Sequence, residues 1–405
     1  MGGVALSAFP PGSGKDLKFS QDEIYTRLDE AIARPVLKKE LFPDPVIIET
    51  CDLLKFEGNY MVRVRAKGGA EGYCVGHNYR MPHLYPMQTR RVNPFFVGKD
   101  ARDLDQLMED VLMFQNNYKY QGYALWIPLA TAEMAILDML GRIAGKSMGE
   151  IIGDIHNTEI AIYRANNGRG KTAEESLERI KQRQQETGAK AVKFKIGGRR
   201  SLPEEPPGRT ERLIPMMREA FDSGIALYAD CNGSYDAKEA IRIGKILEAN
   251  KIDLFEQPVP TDWYTDWKAT ADALDIPIAS GGGEVSIRNF RWLLGMDAVQ
   301  MVQQDLFYFG GMIRCMKVAR MAAVRGYPCV PHISGTGLGY IYMMQFVSAI
   351  PNAGPYHEFK GVSTDVPFTC ETSSLKPEGG ILHLPKGVGS GVEIDPEFIA
   401  KHKIL

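Results

Sequence analysis

The chain has 405 residues, of which 44% are hydrophobic and 24% are charged, and its formal net charge is −2. These values are ordinary for globular domains and exclude a disordered or fibrous chain. The nearly neutral charge also argues against nucleic acid as a partner. Six cysteines are scattered without a CxxC pair, which favours buried thiols over a disulfide scaffold or a zinc knuckle.

Residues 1–44 are predicted to be irregular, apart from a helix near Gln21–Ala33. The first residues are small and apolar but lack a basic region, so they do not make a complete signal peptide. They are similar to the end of an export signal or to a disordered terminus. We expect a cytoplasmic protein, with export as the alternative. The sequence contains no run of about 20 apolar residues, so we expect no membrane partner.

Residues 45–153 combine strand and helix patterns. The segments 46–54 and 60–67 alternate like the two strands of a hairpin, and 101–114 and 128–143 have the period of amphipathic helices. This region is therefore predicted to be an α+β domain.

Residues 154–360 alternate short apolar runs with helical patterns, which is typical of βα units around a parallel sheet. Eight such units in one stretch predict a (β/α)₈ barrel. The predicted strands are 158–164, 190–195, 225–230, 252–256, 276–280, 298–302, 328–332 and 355–359. Residues 361–405 are expected to return to the α+β domain of residues 45–153.

Titratable side chains follow these strands at a nearly constant period. They are Lys193 and Lys195 in the second strand, Asp230, Glu256, Glu284, Asp305 and His332 at or after the next five, and Glu358 in the last. From Asp230 onward the spacings are 26, 28, 21, 27 and 26 residues, which indicates a repeated βα unit. The carboxyl ends of barrel strands meet at one mouth, where active sites lie. The sequence therefore predicts one shared site.

The residue types at these positions suit metal and acid–base chemistry. Asp230, Glu256 and Glu284 would be buried carboxylates on adjacent strands, which suits Mg²⁺, although a single acid at a strand end is often a helix N-cap. Lys193 and Lys195 share one face of their strand and should depress one another's pKa, unless they are solvated. One could then act as a neutral base and the other as a cation.

His332 ends an apolar strand one repeat after Asp305, so the two side chains should be neighbours. A carboxylate that holds an imidazole fixes its tautomer and raises its basicity. The alternative is a hydrogen-bonded core histidine.

The segments AVKFKIGG (191–198), ADCN (229–232), FEQP (255–258), QQDLFYFGG (303–311) and VPHIS (330–334) together resemble the mandelate racemase branch of the enolase superfamily. The resemblance implies an α+β capping domain over a modified (β/α)₈ TIM barrel, with Mg²⁺ as cofactor and removal of the proton α to a carboxylate. It implies that Asp230, Glu256 and a third acid are metal ligands, with Asn232 as a neighbour of the metal. It implies that Lys195 is one base and that His332 with Asp305 is the second base. It further implies that Lys193 contacts the substrate carboxylate and that Glu358 is a hydrogen-bond partner of the enolate.

The third ligand is where this chain departs from the family. Relatives carry it about 26 residues after the second ligand, a position occupied here by Gly282. Glu284 lies two residues later, and the glycines at 281–283 could form a bulge that returns its carboxylate to the site. We favour Glu284 as the third ligand; otherwise the metal site is weakened.

The residues favour a Mg²⁺-dependent dehydratase of a small acid sugar, in which a lysine removes the α-proton and His332 protonates the departing β-hydroxyl. The polar residues at 77–80 are consistent with a polyhydroxy substrate. A racemase or epimerase would use the same groups. A non-catalytic sugar-acid binder is the alternative of another class, motivated by Gly282. We also expect a homo-oligomer.

Overall fold

The computed structural model describes residues 19–200, 202–334, 338–361 and 366–405. Residues 1–18, which carry the question of an export signal, lie outside the described residues. The first element is helix α1, Gln21–Ala33, as predicted. It begins at Ser20, whose hydroxyl accepts the N–H of Glu23 while the Glu23 carboxylate accepts the N–H of Ser20. This reciprocal cap fixes the start of the helix.

The predicted hairpin is confirmed and continues into a third antiparallel strand. The predicted helix over 101–114 is shorter than expected and begins with a 3₁₀ turn. The elements of this region are β1 Ile48–Phe56, β2 Asn59–Ala66, β3 Glu71–Val75, α2 Met81–Met87, α3 Asn93–Phe96, α4 Leu104–Asp110, α5 Tyr123–Ala144 and α6 Met148–Ile152.

Helix α5 has 22 residues and exceeds the predicted helix at its N-terminal end. Its length and mean hydropathy of 1.4 would suffice to cross a membrane, but 94% of its apolar window is buried inside the protein. It packs against β2 and β3. Its apolar composition is thus accounted for by its place in the core.

The predicted parallel α/β barrel is confirmed. The first six barrel strands pair with one another in chain order, and the last barrel strand lies beside the first. The strands are β4 Glu159–Ala165, β5 Ala191–Lys195, β6 Ala226–Asp230, β7 Leu254–Glu256, β8 Ile278–Ser280, β9 Met301–Val302 and β10 His357–Phe359, and the helices are α7 Ala173–Thr187, α8 Arg209–Ala220, α9 Ala237–Ala249, α10 Tyr264–Ala273, α11 Ile287–Gly295, α12 Met312–Val324 and α13 Gly339–Ser348.

The seventh predicted strand, 328–332, is less regular than the others. It forms isolated parallel bridges from Cys329 to Val302 and Ala353, and from His332 to Asp305, instead of a continuous ladder. These bridges place the segment beside β9 on one side and beside Ala353, which precedes β10, on the other. Pro328 and Pro331 explain the irregularity, since proline has no N–H to donate to a ladder.

The C-terminal residues return to the first sheet. Strand β14, Lys403–Ile404, pairs antiparallel with β1. Strands β11 Phe368–Thr369 and β13 Glu393–Ile394 pair with one another, β12 Ile381–His383 pairs with β4, and α14 covers Pro396–Ala400.

Glu133 of α5 connects the capping region to the barrel. Its buried carboxylate accepts the N–H of Met312 at 3.0 Å and that of Ile313 at 2.7 Å, at the start of α12. Gly311 has a φ of 109°, and a Cβ there would lie 2.5 Å from the Glu133 carboxylate. The glycine thus permits this helix cap.

Replacing Glu133 by Ala leaves both N–H groups buried without a partner, so we expect the free energy of unfolding to fall by about 2–4 kcal/mol. Urea unfolding followed by circular dichroism measures this. The control is Glu178→Ala on α7, where the side chain is 80% exposed and a change below about 0.5 kcal/mol is expected. Equal effects of the two substitutions would show that the cap does not stabilise the fold.

Candidate active site

A buried lysine lies at the centre of the acidic cluster in the barrel. The Lys193 Nζ is 2.8 Å from Glu256 Oε1, 2.9 Å from Glu358 Oε1 and 3.4 Å from Asp230 Oδ2. Its side chain is only 2% exposed. One ammonium group therefore compensates carboxylates from three strands, which would otherwise be costly to bury.

Lys195 and Asp230 form the second part of the cluster. The Lys195 ammonium donates to Asp230 Oδ2 and, at 3.1 Å, to Asn232 Oδ1. Both lysines contact Asp230, so they lie on the same side of β5, as the alternation predicted. Asn232 is held beside them because its Oδ1 also accepts a bond from Arg169 at 2.9 Å and its N–H bonds to Asp230 Oδ1.

The two lysines differ in their proton affinity. Burial alone would lower the pKa of Lys193, but Glu256 and Glu358 outweigh it and hold that pKa well above its usual value. Burial lowers the pKa of Lys195, and Asp230 offsets this only in part. The expected mutual depression is therefore wrong for Lys193 and right in direction for Lys195. The difference favours Lys193 as the permanent cation and Lys195 as the base.

Asp305 and His332 are in direct contact. The Asp305 Oδ2 and the His332 Nδ1 are 2.8 Å apart, which leaves Nε2 as the free ring nitrogen. The other oxygen of Asp305 accepts the N–H groups of Phe307 and Tyr308, each at 2.9 Å, and the Ser334 hydroxyl at 2.7 Å. These three bonds fix the carboxylate, and the carboxylate in turn orients the imidazole.

Glu358 joins the dyad to the lysines. Its Oε2 accepts the N–H of Ile333 at 2.9 Å and lies 4.0 Å from His332 Nε2. Burial would raise the pKa of Glu358, but Lys193 and Lys360 hold it well below its usual value. An ionised carboxylate only accepts hydrogen bonds. The role of Glu358 toward an enolate oxygen stays a prediction.

Two adjoining cavities open above this cluster. The first, of about 440 Å³, is lined by Glu256, His332 and the glycines at 281–283. The second, of about 580 Å³, is lined by Lys195, Glu358 and His332. Lys193 lines neither of them, because it is buried beneath the carboxylates. Its expected contact with a substrate carboxylate thus has no support in this structure.

The structure places Glu284 outside this cluster. Its Oε1 accepts the N–H groups of Val285 at 2.7 Å and Ser286 at 2.8 Å, and its Oε2 accepts the Tyr264 hydroxyl at 3.2 Å. Residues 281–284 form a turn closed by a bond from the Glu284 N–H to the Gly281 carbonyl, not a bulge that returns the carboxylate. The Glu284 carboxylate is bonded to the loop that precedes α11, so the prediction that it is the third metal ligand is not supported.

Gly282 occupies the usual position of the third metal ligand, and the imidazole ring of His332 covers it. A Cβ at Gly282 would lie 3.0 Å from the Cγ of His332, so a larger residue there would displace the imidazole. Within the described residues, no group of three or more His, Cys, Asp or Glu side chains is arranged to hold a metal. A cage of three protein carboxylates is therefore absent from the part of the chain that the structure describes.

Two carboxylates still fit a magnesium ion. Burial and the neighbouring Asp230 raise the pKa of Glu256, which reflects a repulsion that a divalent cation would relieve. Mg²⁺ is commonly bound by one or two carboxylates, with water and substrate oxygens completing its shell. Glu256 lines the first cavity, which has room for such oxygens.

Sequence reasoning missed several residues of the site. Gln303 donates to Glu256 Oε2 at 3.0 Å, and Tyr308 lines both cavities and stacks on Tyr123 with 4.3 Å between ring centroids. Both lie in the segment QQDLFYFGG, whose strand-end position was the available signal. Arg199 and Arg200 also line the first cavity, but they lie in a loop without periodicity.

The chain matches known proteins along most of its length. A family model described as enolase C-terminal domain-like matches residues 175–398. Arabinonate dehydratase of Saccharolobus solfataricus is 25% identical over 344 residues, covering 84% of this chain and 89% of that one. Other relatives at 24% identity are named dehydratases of xylonate and rhamnonate.

Solved structures agree with this match. One from Roseobacter denitrificans, described as a candidate racemase, has a TM-score of 0.81 and 29% identity, covering 89% of this chain and 99% of that one. A mandelate racemase/muconate lactonizing protein from Paracoccus denitrificans, complexed with magnesium, has a TM-score of 0.78, 21% identity and the same coverage, and shows the fold alone.

The fold, the strand-end residues and these matches together define a class. The chain belongs to the enolase superfamily, through the enolase C-terminal domain-like family, and its structural neighbours are mandelate racemase/muconate lactonizing proteins. Members of this superfamily bind Mg²⁺.

Proposed function

We propose that this enzyme is a Mg²⁺-dependent dehydratase of acid sugars. The observation that carries the proposal is the presence of two different proton-transfer groups at one cleft, Lys195 on β5 and the Asp305–His332 dyad near the seventh strand position. The reaction would convert a small sugar carboxylate into a 2-keto-3-deoxy acid and water. The names of the curated relatives support this substrate class.

Lys195 would take the proton from the α-carbon. Its lowered pKa makes the neutral amine more accessible, and Asp230 with Asn232 holds the nitrogen at the cavity wall. Lys193 would keep the charge of the acidic cluster balanced from below and so position Glu256 and Glu358. When bound at Asp230 and Glu256, Mg²⁺ would supply a Lewis acid for the substrate carboxylate.

His332 would protonate the β-hydroxyl as it leaves. The Asp305 carboxylate stabilises the imidazolium and directs Nε2 away from itself, toward the cavity side of the ring. Loss of water gives an enol, whose C3 takes a proton from solvent while its O–H releases one to solvent, which forms the 2-keto product. The α-proton ends on Lys195, and the proton of His332 leaves with the water.

A metal titration tests whether Glu256 is a magnesium ligand and Glu284 is not. We expect Glu256→Gln to weaken Mg²⁺ binding at least about tenfold, because it removes a ligand, and Glu284→Gln to change it by less than about twofold. Isothermal titration calorimetry with Mg²⁺ alone measures both variants. An equal loss in Glu284→Gln would return Glu284 to the ligand set.

The racemase or epimerase is the second candidate, because a dyad placed apart from a lysine could return a proton to the same carbon. A screen of the purified protein with Mg²⁺ against a library of acid sugars, read as 2-keto acid formation, tests the proposal. We expect at least one substrate to yield a 2-keto acid. Inversion at the α-carbon without a keto product would favour the racemase, and binding without any reaction would favour the non-catalytic binder.

A further inference from the structure

Three exposed arginines line the cleft. Arg80 lies in the loop between β3 and α2, and Arg199 and Arg200 lie in the loop after β5. All three line the cavity that Glu256 and His332 also line. Arg199 extends into the second cavity beside Lys195. The cleft therefore carries a strong positive charge next to the groups proposed for proton transfer.

These charges are not compensated by the part of the protein that the structure describes. None of the ion pairs among the described residues involves Arg80, Arg199 or Arg200, whereas other exposed arginines, such as Arg212 and Arg242, pair with glutamates. Arg169, which also lines the second cavity, is different. It donates to the carbonyls of Ile196 and Gly197 and to Asn232 Oδ1, each at 2.9 Å, so its hydrogen bonds serve the fold.

The backbone holds two of the arginines in place at a cost. Arg199 and Arg200 have φ values of 91° and 49°, in the left-handed region that is unfavourable for non-glycine residues. Their N–H groups are fixed by the Ser234 hydroxyl at 2.8 Å and the Asn232 carbonyl at 3.2 Å. The arginines are thus anchored to the loop that follows Asp230.

We propose that Arg80, Arg199 and Arg200 bind a second anionic group at the far end of the substrate, so that the preferred acid sugar carries a carboxylate at both ends. This inference rests on the proposed function for the reacting end. A guanidinium group forms paired, charge-assisted hydrogen bonds with a carboxylate. A terminal hydroxymethyl group would leave these cations without an anion, so the site should select against a substrate that ends in this group. A terminal phosphate has the same chemistry as the carboxylate.

Matched substrates test the proposal. Galactarate and galactonate, and likewise glucarate and gluconate, differ only in the far group, and 6-phosphogluconate supplies the phosphate. We expect kcat/KM to be at least about tenfold higher for the diacid of each pair. Arg199→Gln and Arg200→Gln should reduce the diacid-to-monoacid ratio of kcat/KM about tenfold or more, mainly through KM. Arg288→Gln is the control, since that side chain is 75% exposed on α11 beside Asp29.

The outcomes test three points separately: the second anion site, the kind of anion that it binds, and the proposed function. Equal or better turnover of the monoacids, or an equal loss for both substrate types in the arginine variants, overturns the second anion site. A clear preference for 6-phosphogluconate overturns the carboxylate and supports the shared anion site. If no acid sugar reacts, the proposed function fails, and calorimetry with the same compounds decides this inference: diacid binding that weakens in Arg200→Gln supports it, and indifference overturns it.

Discussion

Lys195→Met is expected to abolish turnover at every pH, with a loss of about 10⁴-fold or more, because it removes the group that takes the α-proton. The substitution keeps the length of the side chain but leaves Asp230 without its closest cation. Steady-state assay of 2-keto acid formation measures the loss. Circular dichroism checks that the variant folds.

The matched control is Lys190→Met, which makes the same change just before β5, at an exposed residue outside both cavities. We expect it to keep turnover within about twofold. Wild-type-like turnover in Lys195→Met would show that Lys195 is not the base and that the lysine half of the mechanism is wrong.

His332→Asn is expected to separate the two halves of the reaction. Dehydration should fall about 10³-fold, because no acid remains to protonate the leaving hydroxyl. Exchange of the α-proton with solvent deuterium should stay measurable, since Lys195 is still present. Proton NMR of the substrate in D₂O gives the exchange rate, and the keto-acid assay gives dehydration.

His83→Asn in α2 is the control for this change, because His83 is exposed and lines neither cavity. Both rates should stay close to those of the wild type. If exchange and dehydration disappear together in His332→Asn, His332 is itself the α-base and the roles of the two groups must be reversed.

The sequence predicted the barrel because titratable side chains recur at the strand ends with a nearly constant spacing. The recurring positions from Asp230 to Glu358 required a repeated βα unit, and the alternation of Lys193 and Lys195 required a common face. The contacts of both lysines with Asp230 agree with that logic. The close approach of Asp305 and His332 follows from neighbouring strand positions.

The direction in which a side chain points and the depth at which it is buried could not be predicted from spacing. Spacing gave the position of Glu284 along the chain, but whether three glycines form a bulge or a turn depends on where the loop before α11 offers N–H donors. The burial of Lys193 beneath three carboxylates likewise depends on tertiary packing. Arg199 and Arg200 lie in a loop, where no period marks a residue as part of a site.

In the proposed reaction the cleft removes an α-proton and then expels the β-hydroxyl. Proton and carbon NMR of the wild-type protein with Mg²⁺ and an acid sugar in D₂O tests it directly. We predict a 2-keto-3-deoxy acid that carries one solvent deuterium at C3. Recovery of an unreacted acid sugar, or of its C2 epimer with deuterium at C2 and no ketone carbon, would contradict the claim.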